Sequence, residues 1–357
     1  MATPDRRYSN LKPFLFPDQI AALRQRCLAA PAHIRIKPTN RCNHDCWYCA
    51  YRRDGLQLGD DMDLADSIPT DKMFEIIDDI VAMGVKAVTF SGGGEPTLYK
   101  HLPECVERLA MGGVRVATLT NGSNLKGRIA DAFARFGTWV RVSLDAWNDD
   151  SYALARGIKS GTFTKLMENL KAFSSRGTSC ELGVSFIVGV ENHAHIHEAC
   201  CALKDAGVRH VKISAVVVSN EVGENNAYHD PIRMRIEEEI ERASRLCDGN
   251  FSVINHYHAM AESFAKPYHF CPSLQFLTVI GADSKVYACQ DKAYTDGGFL
   301  GDIAQQSFRT FWFSEENRKR IYAFDPAISC PHHCVSHGKN LMLSEFLGLD
   351  SEHAMFV

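Results

Sequence analysis

Residues 34–50 have the sequence IRIKPTNRCNHDCWYCA, in which a β-branched run is followed at once by three cysteines. The run at 34–39 predicts a strand, and Cys42, Cys46 and Cys49 follow it with the spacing C-x3-C-x2-C. Three thiolates this close on a loop can converge on one metal centre, and a 4Fe-4S cluster held by three protein sulfurs keeps one iron open to another ligand. The alternatives are three unrelated thiols, or a zinc site with His44 as fourth ligand.

Alternation of strand and helix patterns continues from this stretch to residue 216. Apolar residues at helical spacing, such as Met73, Ile76 and Ile77, separate the β-branched runs. Repeated strand-helix units imply a parallel sheet with right-handed crossovers. Six units are too few for a complete eight-stranded barrel, so we expect an α/β fold, a partial (β/α)6 TIM-like barrel with its ligand site at the carboxyl ends of the strands. The predicted strands are 34–39, 86–91, 114–119, 139–144, 182–188 and 210–216, and the predicted helices are 70–83, 100–111, 124–136, 162–175 and 193–206.

The pattern changes after residue 225. A charged helix at 231–247 leads to a cysteine-rich segment, in which short strands at 274–280 and 285–290 flank a GADS turn and predict a hairpin. We therefore expect a small α+β cysteine-rich domain after the barrel. The predicted divisions are an N-terminal extension (1–32), the barrel (33–225), a helical linker (226–268), the cysteine-rich domain (269–340) and a C-terminal tail (341–357).

Composition narrows the classes of function. The 357 residues include 39 Lys plus Arg and 43 Asp plus Glu, and the net charge of -4 gives no global case for nucleic acid or membrane binding. No signal peptide or transmembrane run is present in the sequence, so we expect a cytoplasmic location. The 13 cysteines, an odd number, indicate reduced thiols, metal ligands or catalysis.

The cysteine spacing after the first strand resembles the hallmark of the radical S-adenosylmethionine (radical SAM) enzymes, including Tyr48 as the aromatic residue before the third cysteine. The stretch Ser91-Gly92-Gly93-Gly94-Glu95-Pro96 after the second strand is similar to the family's GGE motif. The resemblance covers residues 33–220. It implies that the three cysteines hold a 4Fe-4S cluster and that S-adenosyl-L-methionine binds the open iron. Glycines also let the backbone approach a ligand, and the Glu95 carboxylate suits an ammonium group.

The resemblance also implies cofactor contacts from later strand ends. Ser143 and Asp145 end the fourth strand, and Val188 and Asn192 follow the fifth, on the adenine side. Asx turns, helix caps or a solvated arginine at position 156 are the structural alternatives. The candidate cofactor-binding residues are Tyr48, Gly92, Gly93, Gly94, Glu95, Asn121, Ser143, Asp145, Arg156, Val188 and Asn192.

A second set of cysteines lies in the C-terminal segment. Its members, Cys271, Cys289, Cys330 and Cys334, fit a fully protein-ligated 4Fe-4S cluster. Zinc is the alternative metal, and His332, His333 or His337 could then replace a cysteine as a ligand. The layout resembles the twitch domain, a shortened relative of the SPASM domain that follows many radical SAM barrels. We predict packing roles for the remaining cysteines, which are Cys27, Cys105, Cys180, Cys200, Cys201 and Cys247.

The resemblance implies cleavage of S-adenosylmethionine to a 5'-deoxyadenosyl radical that abstracts a substrate hydrogen atom. An auxiliary cluster with four cysteine ligands has no open iron, so we predict that it accepts an electron during oxidation of a sugar or aminocyclitol alcohol. Peptide maturation, sugar epimerisation and a non-catalytic metal-binding scaffold are the alternatives. The expected partners are an electron donor such as flavodoxin or ferredoxin and a small-molecule or peptide substrate. No catalytic residue is assigned; the polar candidates near the barrel mouth are Lys37, Asn40, Glu95, Arg141, Lys212, Ser214, Asn220 and His256.

Overall fold

The computed structural model describes residues 6–53, 56, 58–257, 264–350 and 352–356. A ten-stranded sheet runs in the order β10-β9-β8-β1-β2-β3-β4-β5-β6-β7. Its strands are β1 (His33–Ile36), β2 (Ala87–Phe90), β3 (Arg115–Thr120), β4 (Gly137–Ser143), β5 (Glu181–Val188), β6 (His210–Ala215), β7 (Ser252–His256), β8 (Leu277–Ile280), β9 (Lys285–Tyr287) and β10 (Phe299–Asp302). The helices are α1 (Pro17–Gln25), α2 (Thr70–Ala82), α3 (Leu102–Met111), α4 (Gly127–Phe136), α5 (Asp149–Arg156), α6 (Thr162–Ser174), α7 (Ile196–Asp205), α8 (Val222–His229), α9 (Arg233–Ser244), α10 (Phe308–Trp312), α11 (Glu315–Ala323), α12 (Pro326–Ser329) and α13 (His337–Leu347).

The six predicted strand-helix units are confirmed as β1 to β6, all parallel to their neighbours. Alternate side chains of each strand face opposite sides of the sheet. Ile34 and Ile36 of β1 are fully buried in one core cluster with Ile76 and Ile80 of α2. The intervening residue Arg35 therefore points to the other face. This alternation gives the sheet an apolar face under the helices and a polar face opposite to them.

Two further strands extend the parallel sheet beyond the prediction. β7 pairs with β6, although it lies within the segment 226–268 that the sequence predicts as a helical linker. The sequence pattern misses it because Ile254 is the only buried side chain among its five residues. β8 pairs in parallel with the opposite edge strand, β1, so the cysteine-rich segment continues the barrel sheet. Residues 258–263 of the predicted linker lie outside the described residues.

The predicted hairpin is present but shorter than expected. β8 and β9 are antiparallel, and the four-residue turn at 281–284 joins them. The Gly281 N–H donates to the Lys285 carbonyl oxygen at 2.8 Å, and Ser284 has a φ of 58°. The hairpin carries Cys289 to a position just after β9.

Both chain ends pack against this sheet. Arg7 contacts Glu181 and donates to Ser252 Oγ at 2.5 Å, so the N-terminal extension lies at the amino ends of β5 and β7. The segment 341–357, predicted as a tail, begins within α13, and Leu343 packs against Leu23. The apolar spacing of this helix is weak, which is why the sequence does not predict it. No helix of the described residues combines the length and apolarity needed to cross a bilayer.

Candidate functional site

The loop after β1 holds Cys42, Cys46 and Cys49 as unpaired thiols. Burial raises the pKa of both Cys42 and Cys49, and the neighbouring Cys46 adds to each rise, so the three thiols lie within electrostatic reach of one another. Coordination to iron requires thiolates and couples their deprotonation to metal binding. The donor set therefore fits an iron-sulfur cluster with three protein ligands.

His44 lies in the same loop and is buried. Burial lowers its pKa to about 4, so the imidazole is neutral at pH 7. Its Nδ1 atom has no hydrogen-bond partner among the described residues. No three His, Cys, Asp or Glu side chains among the described residues are placed to hold a single metal ion. A neutral imidazole can ligate a metal, so His44 stays the alternative fourth ligand.

The glycines of the SGGGEP motif allow the loop after β2 to touch the cysteine loop. A Cβ on Gly94 would lie 2.1 Å from the Arg41 carbonyl oxygen, and a Cβ on Gly93 would lie 2.2 Å from Asn40 Oδ1. The Glu95 N–H donates to that same Arg41 oxygen at 2.8 Å. Only glycine permits such an approach. The motif therefore supports the loop that carries the three cysteines.

The Glu95 carboxylate is almost fully occupied by its neighbours. Oε1 accepts from Thr97 N at 3.0 Å and from Thr120 Oγ1 at 2.6 Å, and Oε2 accepts from Asn121 N at 2.7 Å. Burial raises the pKa of Glu95, and these donors oppose that rise. The carboxylate thus ties the ends of β2 and β3 together. Oε2 retains capacity for one more donor, which the predicted contact with an ammonium group requires.

A buried ion pair organises the end of β4. Arg156 donates to Asp145 Oδ2 at 2.6 Å and to Ser143 Oγ at 3.1 Å. The same guanidinium lies 3.5 Å from Cys46 Sγ, and the Tyr48 hydroxyl donates to Asp145. The side chains of Arg156 and Asp145 are only 4% and 2% exposed. Five residues that the sequence singled out separately therefore form one network.

The predicted residues after β3 and β5 separate into two groups. Asn121 and Asn192 make local bonds: Asn121 Nδ2 donates to Asn43 Oδ1 at 2.8 Å, and Asn192 Nδ2 donates to the Asp145 carbonyl oxygen at 2.9 Å. Val188 is fully buried in the core under the helices, so its side chain does not face the site. Ile187 has the opposite orientation and lines the cleft instead, as the period of two in a strand requires.

A cleft opens at the carboxyl ends of β4 and β5, bordered by Tyr48, Asp145, Ile187 and Asn192. Sequence reasoning missed Trp147 at its edge. The indole stacks on the His195 ring with centroids 3.7 Å apart and an interplanar angle of 4°. An isolated tryptophan after a strand offers no sequence signal for such a role.

The four C-terminal cysteines line a second cavity. All are free thiols, and burial raises the pKa of Cys289, with further contributions from Cys334, Cys330 and Cys271. Asn340 Nδ2 lies 3.3 Å from Cys271 Sγ and is placed to donate to it. These four sulfurs fit the donor set of a second cluster. His332, one of the alternative zinc donors, also lines this cavity, and its Nε2 has no hydrogen-bond partner among the described residues.

Comparison with known proteins now adds to this geometry. Residues 36–199 match the model of the Radical SAM superfamily. The chain contains a radical SAM domain. Curated relatives include a probable GTP 3',8-cyclase of Halobacterium salinarum, 31% identical over 144 residues, and an Fe-coproporphyrin III synthase of Methanosarcina barkeri, 29% identical over 155 residues. The first match covers 40% of this chain and 39% of the relative, and the second covers 43% and 36%. The chain thus matches only about two fifths of the length of these relatives.

Solved structures match over a longer stretch. SuiB of Streptococcus suis bound to its precursor peptide SuiA superposes with a TM-score of 0.63 at 14% identity, over 88% of this chain and 73% of that one. The enzyme anSMEcpe with bound AdoMet gives a TM-score of 0.58 at 15% identity, over 89% and 96%. These likenesses concern the fold. They confirm the mixed α/β architecture around the radical SAM domain.

A buried lysine connects the radical SAM domain to the second cysteine set. Lys37, just after β1, donates to Tyr51 Oη and to the Gly92 carbonyl oxygen, each at 2.7 Å. Gln290, the residue after Cys289, also donates to the Tyr51 hydroxyl. Burial lowers the pKa of Lys37 well below its usual value. Both cysteine-bearing segments are therefore fixed to one buried polar centre.

Proposed function

We propose that this chain is a radical SAM oxidoreductase with two iron-sulfur clusters, one held by Cys42, Cys46 and Cys49 and the other by Cys271, Cys289, Cys330 and Cys334. When bound, the first cluster and S-adenosylmethionine supply a 5'-deoxyadenosyl radical, which removes a hydrogen atom from substrate. The single observation that carries the proposal is the cysteine loop beside the cleft, held there by the SGGGEP backbone and by the contact from Arg156.

The chain's own residues position and shield this chemistry. The Asp145–Arg156 pair is almost excluded from water and fixes the guanidinium between Ser143 and Cys46. Asn192 donates to the carbonyl oxygens of Asp145 and Ile187, each at 2.9 Å, and so ties the ends of β4 and β5 together. This network preorganises one wall of the cleft. Preorganised groups need not rearrange when a reactive species forms, and exclusion of water from such a wall limits its side reactions.

The donor chemistry of the C-terminal site supports a closed cluster. Its four sulfurs can take one iron each, whereas zinc gathers all of its ligands on one ion. A cluster without an open iron supplies electron acceptance, the chemistry that oxidation of an alcohol carbon needs. We accordingly propose a sugar or aminocyclitol alcohol as substrate and a flavodoxin or ferredoxin as external reductant.

The names of the relatives leave the substrate class open. They include a GTP cyclase and a coproporphyrin synthase, and one structural neighbour is bound to a precursor peptide. Peptide modification and epimerisation are therefore the alternative reactions, and the products of turnover distinguish them from alcohol oxidation.

The first experiment tests the two clusters. Anaerobically purified protein should contain about eight irons per chain, and about four after Cys42, Cys46 and Cys49 are changed together to Ala. The matched control replaces Cys27, Cys201 and Cys247, three cysteines outside both sets that are not fully buried, and should retain about eight. Reduced wild-type protein should convert S-adenosylmethionine to methionine and 5'-deoxyadenosine. An unchanged iron content in the first triple variant, or no cleavage by the wild type, refutes the proposal.

The second experiment tests the reaction. Panels of sugars, aminocyclitols and precursor peptides are incubated anaerobically in deuterated buffer and followed by mass spectrometry. Oxidation of the alcohol to a carbonyl should give a product two hydrogens lighter than the substrate and should consume one S-adenosylmethionine per product without an added oxidant. A product whose mass changes only by solvent deuterium would establish epimerisation. A modified peptide would replace the alcohol substrate with a peptide.

A further inference from the structure

The sheet face opposite the helices carries cations from three separate strands. Arg35 lies in β1, Arg141 in β4 and Lys212 in β6. Each is flanked in sequence by fully buried core residues, such as Val140 and Val211, so its own side chain points away from the helices. Burial and the neighbouring Arg141, Arg35 and Lys339 lower the pKa of Lys212 to about 8. The cations therefore lie close enough to repel one another electrostatically.

These cations have only neutral hydrogen-bond partners in the described part of the chain. Arg35 Nη1 donates to Gln290 Oε1 at 3.1 Å, and Arg141 Nη1 donates to the Tyr8 hydroxyl at 2.9 Å. The Nε atoms of both arginines are buried without a hydrogen-bond partner. Lys212 Nζ lies 5.3 Å from the centre of the Tyr8 ring. All three side chains are half-buried, and a partly desolvated cation is stabilised when an anion accompanies it.

Two of these cations, Arg35 and Lys339, lie within electrostatic reach of the second cysteine site. Burial lowers the pKa of Arg35, whereas Asp291 and Cys289 raise it. Burial likewise lowers the pKa of Lys339, and Cys334 raises it. Thiolates at this site would therefore balance these two cations. Among the described residues, the groups that shift the pKa of Lys212 are all cations and the hydrogen bond of Arg141 goes to Tyr8, so no anion is paired with either cation in that part of the chain.

The position of the pair relates it to the proposed reaction site. Lys212 is opposite Ser185 in β5, and Ser185 is opposite Ser143 in β4. Two strand spacings separate Lys212 from Ser143, about 10 Å. Ser143 accepts the hydrogen bond from Arg156. An anionic group beside Lys212 would thus lie within the length of a small substrate from the network at the end of β4.

We infer that Arg141 and Lys212 bind an oxyanion of the substrate, either a phosphate or a carboxylate, with Tyr8 between them. The inference rests on the proposed function and assigns its substrate to the anionic class. The planar guanidinium can take two oxygens of such a group, while the ammonium acts as a compact charge. The Tyr8 ring, which comes from the N-terminal extension, has its centre 5.3 Å from Lys212 Nζ and 6.0 Å from the guanidinium carbon of Arg141. The alcohol to be oxidised then belongs to an anionic sugar or aminocyclitol derivative.

Binding of simple anions to the anaerobic holoprotein tests this inference by isothermal titration calorimetry. The probes are inorganic phosphate, pyrophosphate and malonate. At least one probe should bind to the wild type. Lys212→Met and Arg141→Met should each weaken that binding at least about tenfold, because each removes roughly one charged hydrogen bond. The control Lys165→Met, at an exposed position in α6, should stay within about twofold. Tighter phosphate or pyrophosphate binding identifies a phosphate substrate, and tighter malonate binding identifies a carboxylate.

Two further measurements keep the result decisive. Lys212→Arg retains the charge and should retain binding, and melting temperature with iron content reports whether each variant is folded. Equal binding by wild type and both Met variants, or no binding of any probe by the wild type, overturns the inference. Anion binding does not require cleavage of S-adenosylmethionine. A wild type that forms 5'-deoxyadenosine but binds no anion therefore refutes this inference alone, whereas a protein that forms none refutes the proposed function.

Discussion

Asp145→Asn should destabilise the protein far more than the loss of an ordinary surface ion pair. The carboxylate accepts hydrogen bonds from Arg156 and from Ile187 N, both at 2.6 Å, and from Tyr48. The amide keeps the shape but removes the charge, which leaves the 4% exposed Arg156 side chain without its counter-ion. Breaking a buried pair from one side costs about 3–5 kcal/mol. For 357 residues the entropy of unfolding is about 0.7 kcal/mol per degree, so the melting temperature should fall by about 4–7 °C.

Differential scanning fluorimetry of the anaerobic holoprotein measures this shift. The control is Arg128→Met, which breaks the exposed Arg128–Glu104 pair of 2.7 Å and should change the melting temperature by at most about 1 °C. The double variant Asp145→Asn with Arg156→Met should fall less than the sum of its two single variants, because neither charge is left alone. A shift for Asp145→Asn no larger than that of the control, or full additivity in the double variant, would refute the claim that this pair is one buried unit.

Three other changes test separate parts of the molecule. Gly94→Ala should reduce the iron content and slow S-adenosylmethionine cleavage, because its Cβ meets the Arg41 carbonyl at 2.1 Å, while Gly223→Ala, with open space around its Cβ, should change neither. Cys334→Ala should lower the iron content and change the electron paramagnetic resonance spectrum of the auxiliary cluster. An unchanged spectrum would show that Cys334 is not a ligand of that cluster. Phosphate binding should weaken as pH rises through about 8, where unbound Lys212 loses its proton, and calorimetry of Lys212→Arg should show no such fall. The titratable and charged groups around Lys212 are Arg141, Arg35, Lys339, Tyr8 and His333, together with His210 and His256 beside the Tyr8 ring.

Local signals account for the parts of the fold that the sequence predicts. Each of the strands β1 to β6 has its own β-branched run, and each crossover has its own helical period, so every unit is specified by adjacent residues. The cysteine loop and the SGGGEP motif follow two such strands and were placed correctly at one edge of the sheet. The orientation of Val188 was also available from the sequence, because Val184 and Phe186 share its parity and its burial. The side chain of Val188, which the resemblance suggests for the adenine side, is therefore buried away from the cleft that Ile187 lines.

Contacts between distant segments account for what the sequence did not predict. The pairing of β8 with β1 joins residues more than two hundred positions apart, and nothing local in either strand specifies that partner. The same applies to Arg156, whose helical position is equally suited to solvent until α5 is packed against the cysteine loop. The Asp45 N–H donates to the Arg156 carbonyl oxygen at 2.9 Å, and a Cβ on Gly157 would lie 2.6 Å from the Asp45 oxygen. Packing of this kind decides whether an arginine is a buried ligand or a surface charge.

The polar face of this open sheet differs from the interior of a closed barrel. The interior of a complete eight-stranded barrel is filled by branched apolar side chains, whereas β1, β4 and β6 here present Arg35, Arg141 and Lys212. Mutual repulsion among such cations opposes a collapsed interior and favours a space that admits an anion. Arg35 borders the second cysteine cavity and also acts on Lys212. An anion held by Lys212 would therefore sit on the sheet face that the cysteine-rich segment adjoins, between the proposed site of hydrogen abstraction and the proposed electron acceptor.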